Sequence, residues 1–115
     1  MLKVFLVDDD TSILNSFRRL LQYYRKQFDF SFFNNGNEVL ASDILPDVLI
    51  TDAMMPGLSG MDLIRLLKER VPGLVTIILS GEVGASFPDE LGIDFFLEKP
   101  CDVEDIIDIL EKYEA

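Results

Sequence analysis

The sequence predicts an α/β protein in which a parallel sheet lies between two layers of helices, a doubly wound sandwich. Five short apolar or aromatic runs have the length of buried strands. The segments between them carry apolar residues at helical spacing. The two kinds of segment alternate, which is typical of a parallel sheet covered on both faces. No linker or repeat interrupts the 115 residues, so a single domain, 1–115, is expected.

The first strand is predicted at residues 3–7 (KVFLV), and the aromatic-rich residues 28–33 (FDFSFF) predict the second. A helix over about residues 12–25 joins them, because its apolar side chains share one face. Those side chains are Ile13, Leu14, Phe17, Leu20, Leu21 and Tyr24. Asp10 or Thr11 can cap this helix.

Turn and breaker residues divide the middle of the chain. Residues 34–36 (NNG) predict a turn, a short helix follows at about residues 37–43, and Pro46 ends this connection. Residues 47–51 form the third predicted strand. The apolar spacing of residues 60–70 predicts the next helix.

The fourth strand is predicted at residues 74–79 (LVTIIL), whose continuous apolar character is typical of a central parallel strand. Residues 93–97 (IDFFL) form the fifth. Between them, residues 82–91 contain glycine, serine and proline, so the helix expected there is short or irregular. Asp102 is predicted to cap the last helix, whose first turn carries acids that the helix dipole favours.

Charge limits the classes of function. The net charge of −11 argues against a nucleic-acid surface. Residues 81–115 are the most acidic, with eleven acids against two lysines. The one basic cluster consists of Arg18, Arg19, Arg25 and Lys26. We interpret both regions as solvated helix faces, the alternative being electrostatic steering of a partner.

The chain has no histidine, which excludes histidine-ligated metals, histidine general bases and a phosphohistidine of its own. Its single cysteine, Cys101, allows no intrachain disulfide and is interpreted as a small buried hydrophobe. No apolar stretch reaches the ~18 residues that span a bilayer, and no signal-peptide pattern follows Met1. These features together predict a cytoplasmic protein.

Polar side chains stand at the carboxyl ends of four predicted strands: Asp8 and Asp9, Asp52, Ser80, and Lys99. In an open parallel sheet this edge is where ligands bind. Carboxylates without nitrogen or sulfur ligands suit Mg²⁺ or Mn²⁺. An ammonium and a hydroxyl beside a metal suit a phosphoryl group, and a carboxylate can accept that group as an aspartyl phosphate.

The segments VFLVDDD, VLITDAMMPGLSGMDL, IILSG and DFFLEKP together resemble the receiver domain of two-component response regulators. The resemblance implies a flavodoxin-like sheet with strand order 2-1-3-4-5. It implies a signalling domain rather than an enzyme, which accepts a phosphoryl group from a histidine kinase or histidine phosphotransfer protein. It further implies output through a homodimer or an output domain, with no direct contact to nucleic acid or membrane.

The resemblance also assigns roles by position. Asp52 corresponds to the phosphoacceptor. Asp8 and Asp9 correspond to the acidic pair, with Asp9 the direct Mg²⁺ ligand and Asp8 acting mostly through water. Met54 corresponds to the residue whose backbone carbonyl binds the metal.

Three further roles follow from the resemblance. Ser80 corresponds to the switch hydroxyl that moves onto the phosphoryl group, and Lys99 to the lysine that pairs with that group. Phe96 stands at the aromatic switch position. The Lys99–Pro100 peptide is expected to be cis.

Several of these residues also have a simpler interpretation. We prefer helix capping for Asp10. Taken alone, Ser80 is a turn residue and Lys99 a solvated loop lysine. Phe96 is alternatively a core residue, because alternation along the strand would bury Phe95 and Phe96 on opposite faces.

The sequence departs from the family between Ser80 and Lys99, which are 19 positions apart, a few fewer than is usual. The missing residues belong to the helix before the last strand, part of the surface that commonly changes on phosphorylation. We therefore expect signalling through a modified or mobile segment around residues 82–91. By family position, Glu82 should approach the site.

Two other functions compete with this interpretation. A small haloacid-dehalogenase-like phosphatase would use Asp8 as nucleophile and Asp10 as acid or base, but it would leave Asp52 unexplained. A binding-only pseudo-receiver would lack the chemistry, although all the required groups are present.

Overall fold

The computed structural model describes residues 1–81, 87 and 89–114. Its strands are β1 (Lys3–Val7), β2 (Asp29–Phe33), β3 (Val48–Asp52), β4 (Val75–Ser80) and β5 (Phe95–Glu98). Its α-helices are α1 (Thr11–Leu21), α2 (Gly36–Ala41), α3 (Gly60–Arg70) and α4 (Val103–Glu111). The strands form one parallel sheet in the order β2-β1-β3-β4-β5, which confirms the predicted fold class. Within this part of the chain, no helix is long and apolar enough to cross a membrane.

The strand residues alternate between two hydrophobic cores, one on each face of the sheet. Val4 and Leu6 of β1 pack in the core with α1 and α4, whereas Phe5 and Val7 pack in the core with α2 and α3. Because β1, β3 and β4 have a strand on each side and helices on both faces, nearly all their side chains are buried. The continuous apolar runs that predicted these strands therefore result from burial on two faces.

Most strand boundaries differ from the prediction by one or two residues, and three of these differences concern the strand ends near the site. Asp52 and Ser80 are the last residues of β3 and β4, inside the sheet rather than just beyond it. β5 begins at Phe95, later than the predicted residue 93. The Asp94 carboxylate accepts a hydrogen bond from the backbone N–H of Thr76 at 2.8 Å. This side-chain bond stands where backbone pairing of β5 with β4 would otherwise begin.

Asp10 caps α1, as we preferred. Its Oδ1 accepts the backbone N–H groups of Ser12 at 3.0 Å and Ile13 at 3.2 Å, and Thr11 is the first helical residue. The helix ends at Leu21 rather than near residue 25, because the chain tightens into a 3₁₀ turn at 22–24. The carboxylate of Asp10 therefore serves as the N-terminal cap of α1.

The remaining caps follow the same chemistry. Asn35 Oδ1 accepts the backbone N–H of Glu38 at 2.9 Å, so α2 begins slightly earlier than predicted. Asp102 caps α4 as predicted, in a reciprocal capping box with Asp105. These caps set the direction in which each helix leaves the site edge of the sheet.

The connection between β4 and β5 is only partly described. Residues 82–86 and 88 lie outside the described residues, and with them the prediction for Glu82 and most of the short or irregular helix expected at 82–91. Residues 89–91 form a single 3₁₀ turn.

Helix α3 approaches the end of β3 so closely that only glycine fits at its first position. A Cβ atom at Gly60 would overlap the carbonyl oxygen of Asp52. We therefore expect Gly60→Ala to lower the free energy of unfolding by about 1–3 kcal/mol, measured by urea denaturation. Gly73→Ala is the matched control, since nothing lies within 4 Å of a Cβ there. Equal losses in the two variants would contradict this explanation.

Candidate functional site

The carboxyl ends of β1 and β3 bring three carboxylates together. One oxygen each from Asp8, Asp9 and Asp52 lies within 4.8 Å of the others. They are adjacent because β1 and β3 are paired neighbours in the sheet, with Val7 opposite Thr51. The structure thus assembles the acidic cluster that the strand ends predict.

Lys99 lies between two of these carboxylates. Its Nζ is 2.9 Å from Asp8 Oδ2 and 3.2 Å from Asp52 Oδ2. The backbone N–H of Lys99 donates to the carbonyl of Ser80 at 2.8 Å, which holds the residue against the end of β4. The Lys99–Pro100 peptide is cis, as the resemblance implies.

The three acids differ in their access to solvent. Asp8 is fully buried, and both of its oxygens are occupied, one by Lys99 and one by the backbone N–H of Asp10 at 2.9 Å. The side chain of Asp52 is 13% exposed, and Asp9 is exposed. Asp8 is therefore held in place by the protein, whereas Asp9 and Asp52 face an incoming ligand.

Burial raises the pKa of the Asp52 carboxyl, and the charge of Asp8 adds to this effect, although Lys99 opposes it. Burial alone would lower the pKa of Lys99. The hydrogen bond with Asp8 and the charges of Asp8 and Asp52 together outweigh that effect and raise the Lys99 pKa. The lysine therefore stays protonated between the two acids, as a fixed positive charge at the site.

Ser80 and Phe96 lie on one face of the sheet beside this cluster. Ile78 pairs with Phe96 and Ser80 pairs with Glu98, so the side chains of Phe96 and Ser80 are diagonal neighbours. The alternative that Phe96 is a core residue is wrong, because its ring is 55% exposed on the edge strand β5. Of these two phenylalanines, it is Phe95 that packs against the core with α1 and α4.

Met54 lies in the loop after β3 and is 69% exposed. Its backbone N–H is 3.5 Å from Asp52 Oδ1. This contact places the loop backbone beside the phosphoacceptor candidate. The metal-ligand role of the Met54 carbonyl stays a prediction.

The donor set fits a hard divalent cation. Three carboxylates without nearby nitrogen or sulfur ligands suit Mg²⁺ or Mn²⁺. Asp8 accepts only one hydrogen bond on each oxygen and Asp9 is open to solvent, so lone pairs remain for an ion. The residues that would hold the cation are Asp8, Asp9 and Asp52.

A cavity of about 690 Å³ opens beside the site, between α1 and the loop that follows β5. Its wall is mostly apolar and includes Ile13, Phe17 and Cys101. Burial raises the pKa of the Cys101 thiol, so it stays protonated. This agrees with its interpretation as a small hydrophobe.

Nothing in the site favours a phosphatase with Asp8 as nucleophile. Asp8 is fully buried, whereas Asp52 is partly exposed, and Asp10 caps α1 instead of facing a substrate. Sequence reasoning missed that Lys99 contacts Asp8 as well as Asp52. It also missed a stack between Phe87 and Phe96. Neither contact has a local sequence signal, because each joins segments that meet only in the folded chain.

Comparison with known proteins agrees with this geometry. The response regulator receiver domain family matches residues 4–111. The DNA-binding transcriptional regulator NtrC of Salmonella typhimurium is 35% identical over 114 residues, which cover 95% of this chain and 24% of that protein. The response regulator MprA of Mycobacterium avium is 30% identical over 112 residues, which cover 92% of this chain and 48% of MprA. The chain thus spans between 24% and 48% of the length of these curated relatives.

Among solved structures, a response regulator receiver domain protein from Clostridium thermocellum superposes with a TM-score of 0.83 at 28% identity. The match covers 97% of this chain and 93% of that one. Fold and sequence family therefore agree. The chain belongs to the response regulator receiver domain family, a signalling domain of two-component systems.

Proposed function

We propose that the chain accepts a phosphoryl group on Asp52 from the phosphohistidine of a histidine kinase or histidine phosphotransfer protein. The observation that carries the proposal is Lys99, whose ammonium contacts both Asp8 and Asp52 in a cluster of three carboxylates. A cation beside a partly exposed carboxylate is the arrangement that phosphoryl transfer to an aspartate requires. Residues 1–115 contain no histidine, so the phosphohistidine lies outside them.

In this reaction, an oxygen of Asp52 attacks the phosphorus in line with the leaving nitrogen. The O–P bond forms as the donor P–N bond breaks, and the imidazole leaves with the electron pair and takes up a proton. Lys99 stabilises the negative charge on the equatorial oxygens.

The same proposal assigns a divalent cation, Mg²⁺ or Mn²⁺, to Asp8, Asp9, Asp52 and the backbone carbonyl of Met54. When bound, such a cation neutralises the charge of the phosphoryl oxygens and the repulsion among the carboxylates. Asp8 orients Lys99, and Asp9 is the ligand most open to the ion.

Residues 1–115 are proposed to form a single receiver domain that signals rather than turns over substrate. Its chemistry is limited to its own phosphorylation and dephosphorylation. Ser80 and Phe96 are proposed to report the modification by changing position, a local charge event that biases a two-state surface. Transcriptional regulators among the relatives support an output domain or a homodimer as the next partner, and a cytoplasmic location.

Treatment with acetyl phosphate and Mg²⁺ tests the proposal. We expect intact-mass spectrometry to show one added phosphoryl group, and mapping of the reduced acyl phosphate to assign it to Asp52. Chelation of Mg²⁺ should prevent labelling. A label on Asp8 or Asp9, or no metal-dependent label at all, would contradict the assignment.

Asp9→Asn tests the metal site separately. We expect it to weaken Mg²⁺ binding by at least about tenfold, because even outer-shell partners of a metal contribute that much. The measurement is the rise of the melting temperature with Mg²⁺ concentration. Asp10→Asn is the matched control, because asparagine caps a helix as well as aspartate does. Equal Mg²⁺ affinity in the two variants would exclude Asp9 as a ligand.

A further inference from the structure

Phe96 has a partner on the connection that precedes β5. Its ring stacks on the ring of Phe87, with centroids 5.4 Å apart and planes 18° apart. Phe87 itself is partly buried and packs against the core with α2 and α3. The exposed ring of Phe96 is therefore covered on one side by a residue that the core anchors.

Phe96 also has a neighbour in the opposite direction. Ser80, its diagonal neighbour on the same face of the sheet, belongs to the site edge. Phe96 thus has Ser80 as a diagonal neighbour on the sheet and Phe87 stacked on its ring. In the structure it occupies the Phe87 side, since the ring is 55% exposed and stacked there.

We propose that Phe87 is a positioning residue that holds Phe96 in the outward position and so sets how easily the site responds to phosphorylation. This inference rests on the proposed function, because it assumes that Phe96 moves toward Ser80 when Asp52 reacts. The stack exists only while Phe96 is outward. It therefore stabilises the resting state and not the switched state.

The size of the effect follows from the stack. An equilibrium shifts only by the difference in free energy between its two states. Aromatic pairs of this kind correspond to about a two- to tenfold change in such an equilibrium. Loss of the stack should therefore increase the population of the inward state by about that factor, before any phosphoryl group is bound.

The test is the initial rate of Mg²⁺-dependent labelling by acetyl phosphate, measured by intact mass. Phe87→Ala should raise this rate by about two- to tenfold, because less rearrangement is needed when Asp52 reacts. Phe87→Leu, which keeps apolar bulk but not the ring, should behave like alanine. Phe87→Tyr keeps the ring and should restore the rate of the wild type.

Two controls separate positioning from a structural effect. In a Phe96→Ala background, Phe87→Ala should leave the rate unchanged, because the partner of the stack is gone. Phe30→Ala removes a comparable pair on the opposite edge strand, where Phe30 stacks on Phe32 with centroids 6.3 Å apart. That variant should label at the rate of the wild type.

The outcomes distinguish this inference from the proposed function. If wild type is labelled on Asp52 but Phe87→Ala and Phe87→Leu label at its rate, the role of Phe87 is wrong and the proposed function stands. The same follows if the Phe87 effect persists in the Phe96→Ala background. If wild type is not labelled at all, both proposals are overturned.

Discussion

Asp52→Asn should abolish labelling by acetyl phosphate while the protein stays folded. Asparagine has nearly the shape of aspartate but lacks the carboxylate that attacks phosphorus. Of the two carboxylates that Lys99 contacts, Asp52 is partly exposed, whereas Asp8 is fully buried. We therefore expect the loss to be complete in intact-mass spectra, with no second carboxylate taking over.

Asp10→Asn and Asp8→Asn are the comparison variants for this experiment. Asp10→Asn should label like the wild type, because the side chain of Asp10 caps α1 and takes no part in the reaction. Asp8→Asn should label slowly but still on Asp52. Labelling that survives Asp52→Asn would restore Asp8 as a candidate nucleophile.

Urea denaturation of Asp52→Asn is the control that checks whether the variant is folded. For an acid whose pKa is raised by folding, the stabilising contribution is present below its ordinary pKa and is lost as pH rises through the folded-state value. The ionised Asp52 therefore destabilises the metal-free protein at neutral pH. With a chelator at neutral pH, Asp52→Asn should be at least as stable as wild type in urea, and the difference should shrink in acid.

Lys99→Ala should cause the largest loss of stability of any single substitution proposed for this site. Removal of one partner of a buried ion pair costs about 3–5 kcal/mol, because it leaves an uncompensated charge. Asp8 is fully buried, and the side chain of Lys99 is 20% exposed. We expect the lower end of that range, about 3 kcal/mol, in urea denaturation of the metal-free protein at neutral pH.

A double-mutant cycle tests the cause of that loss. In an Asp8→Asn background only the partly exposed Asp52 carboxylate is left without its lysine, so Lys99→Ala should cost less than in the wild type. Saturating Mg²⁺ should also recover part of the loss. Lys26→Ala, at an exposed lysine, is the matched control and should change stability by less than about 0.5 kcal/mol. Additive effects of Asp8→Asn and Lys99→Ala would show that the ion pair is not the cause.

Residues near strand ends were predictable because the sheet is regular. Burial on two faces makes β1, β3 and β4 continuously apolar, so the first polar residue after each run marks the edge of the sheet. Asp8, Asp52 and Ser80 were found in this way. The alternative interpretation of Phe96 as a core residue failed because burial on β5 is one-sided. Phe96 lies on an edge strand, so the alternation that buries Phe95 leaves Phe96 exposed.

Boundaries were less predictable, because side chains compete with backbone for hydrogen bonds. The Asp94 carboxylate takes the N–H of Thr76, which delays the start of β5. Asn35 starts α2 early by capping it. Such competition depends on which side chains the fold brings within reach, and the spacing of apolar residues carries no information about it.

The sequence by itself determined the family and the order of the strands' polar ends along the chain. Only the tertiary structure decided how the polar side chains at the strand ends differ in burial and in their contacts. It buries Asp8, leaves Asp52 partly exposed, and places Lys99 between them. It also stacks Phe87 on Phe96. The physical reason is that polar and aromatic contacts depend on distances of a few ångströms between distant segments, whereas the positions of the strands along the chain follow from local burial patterns.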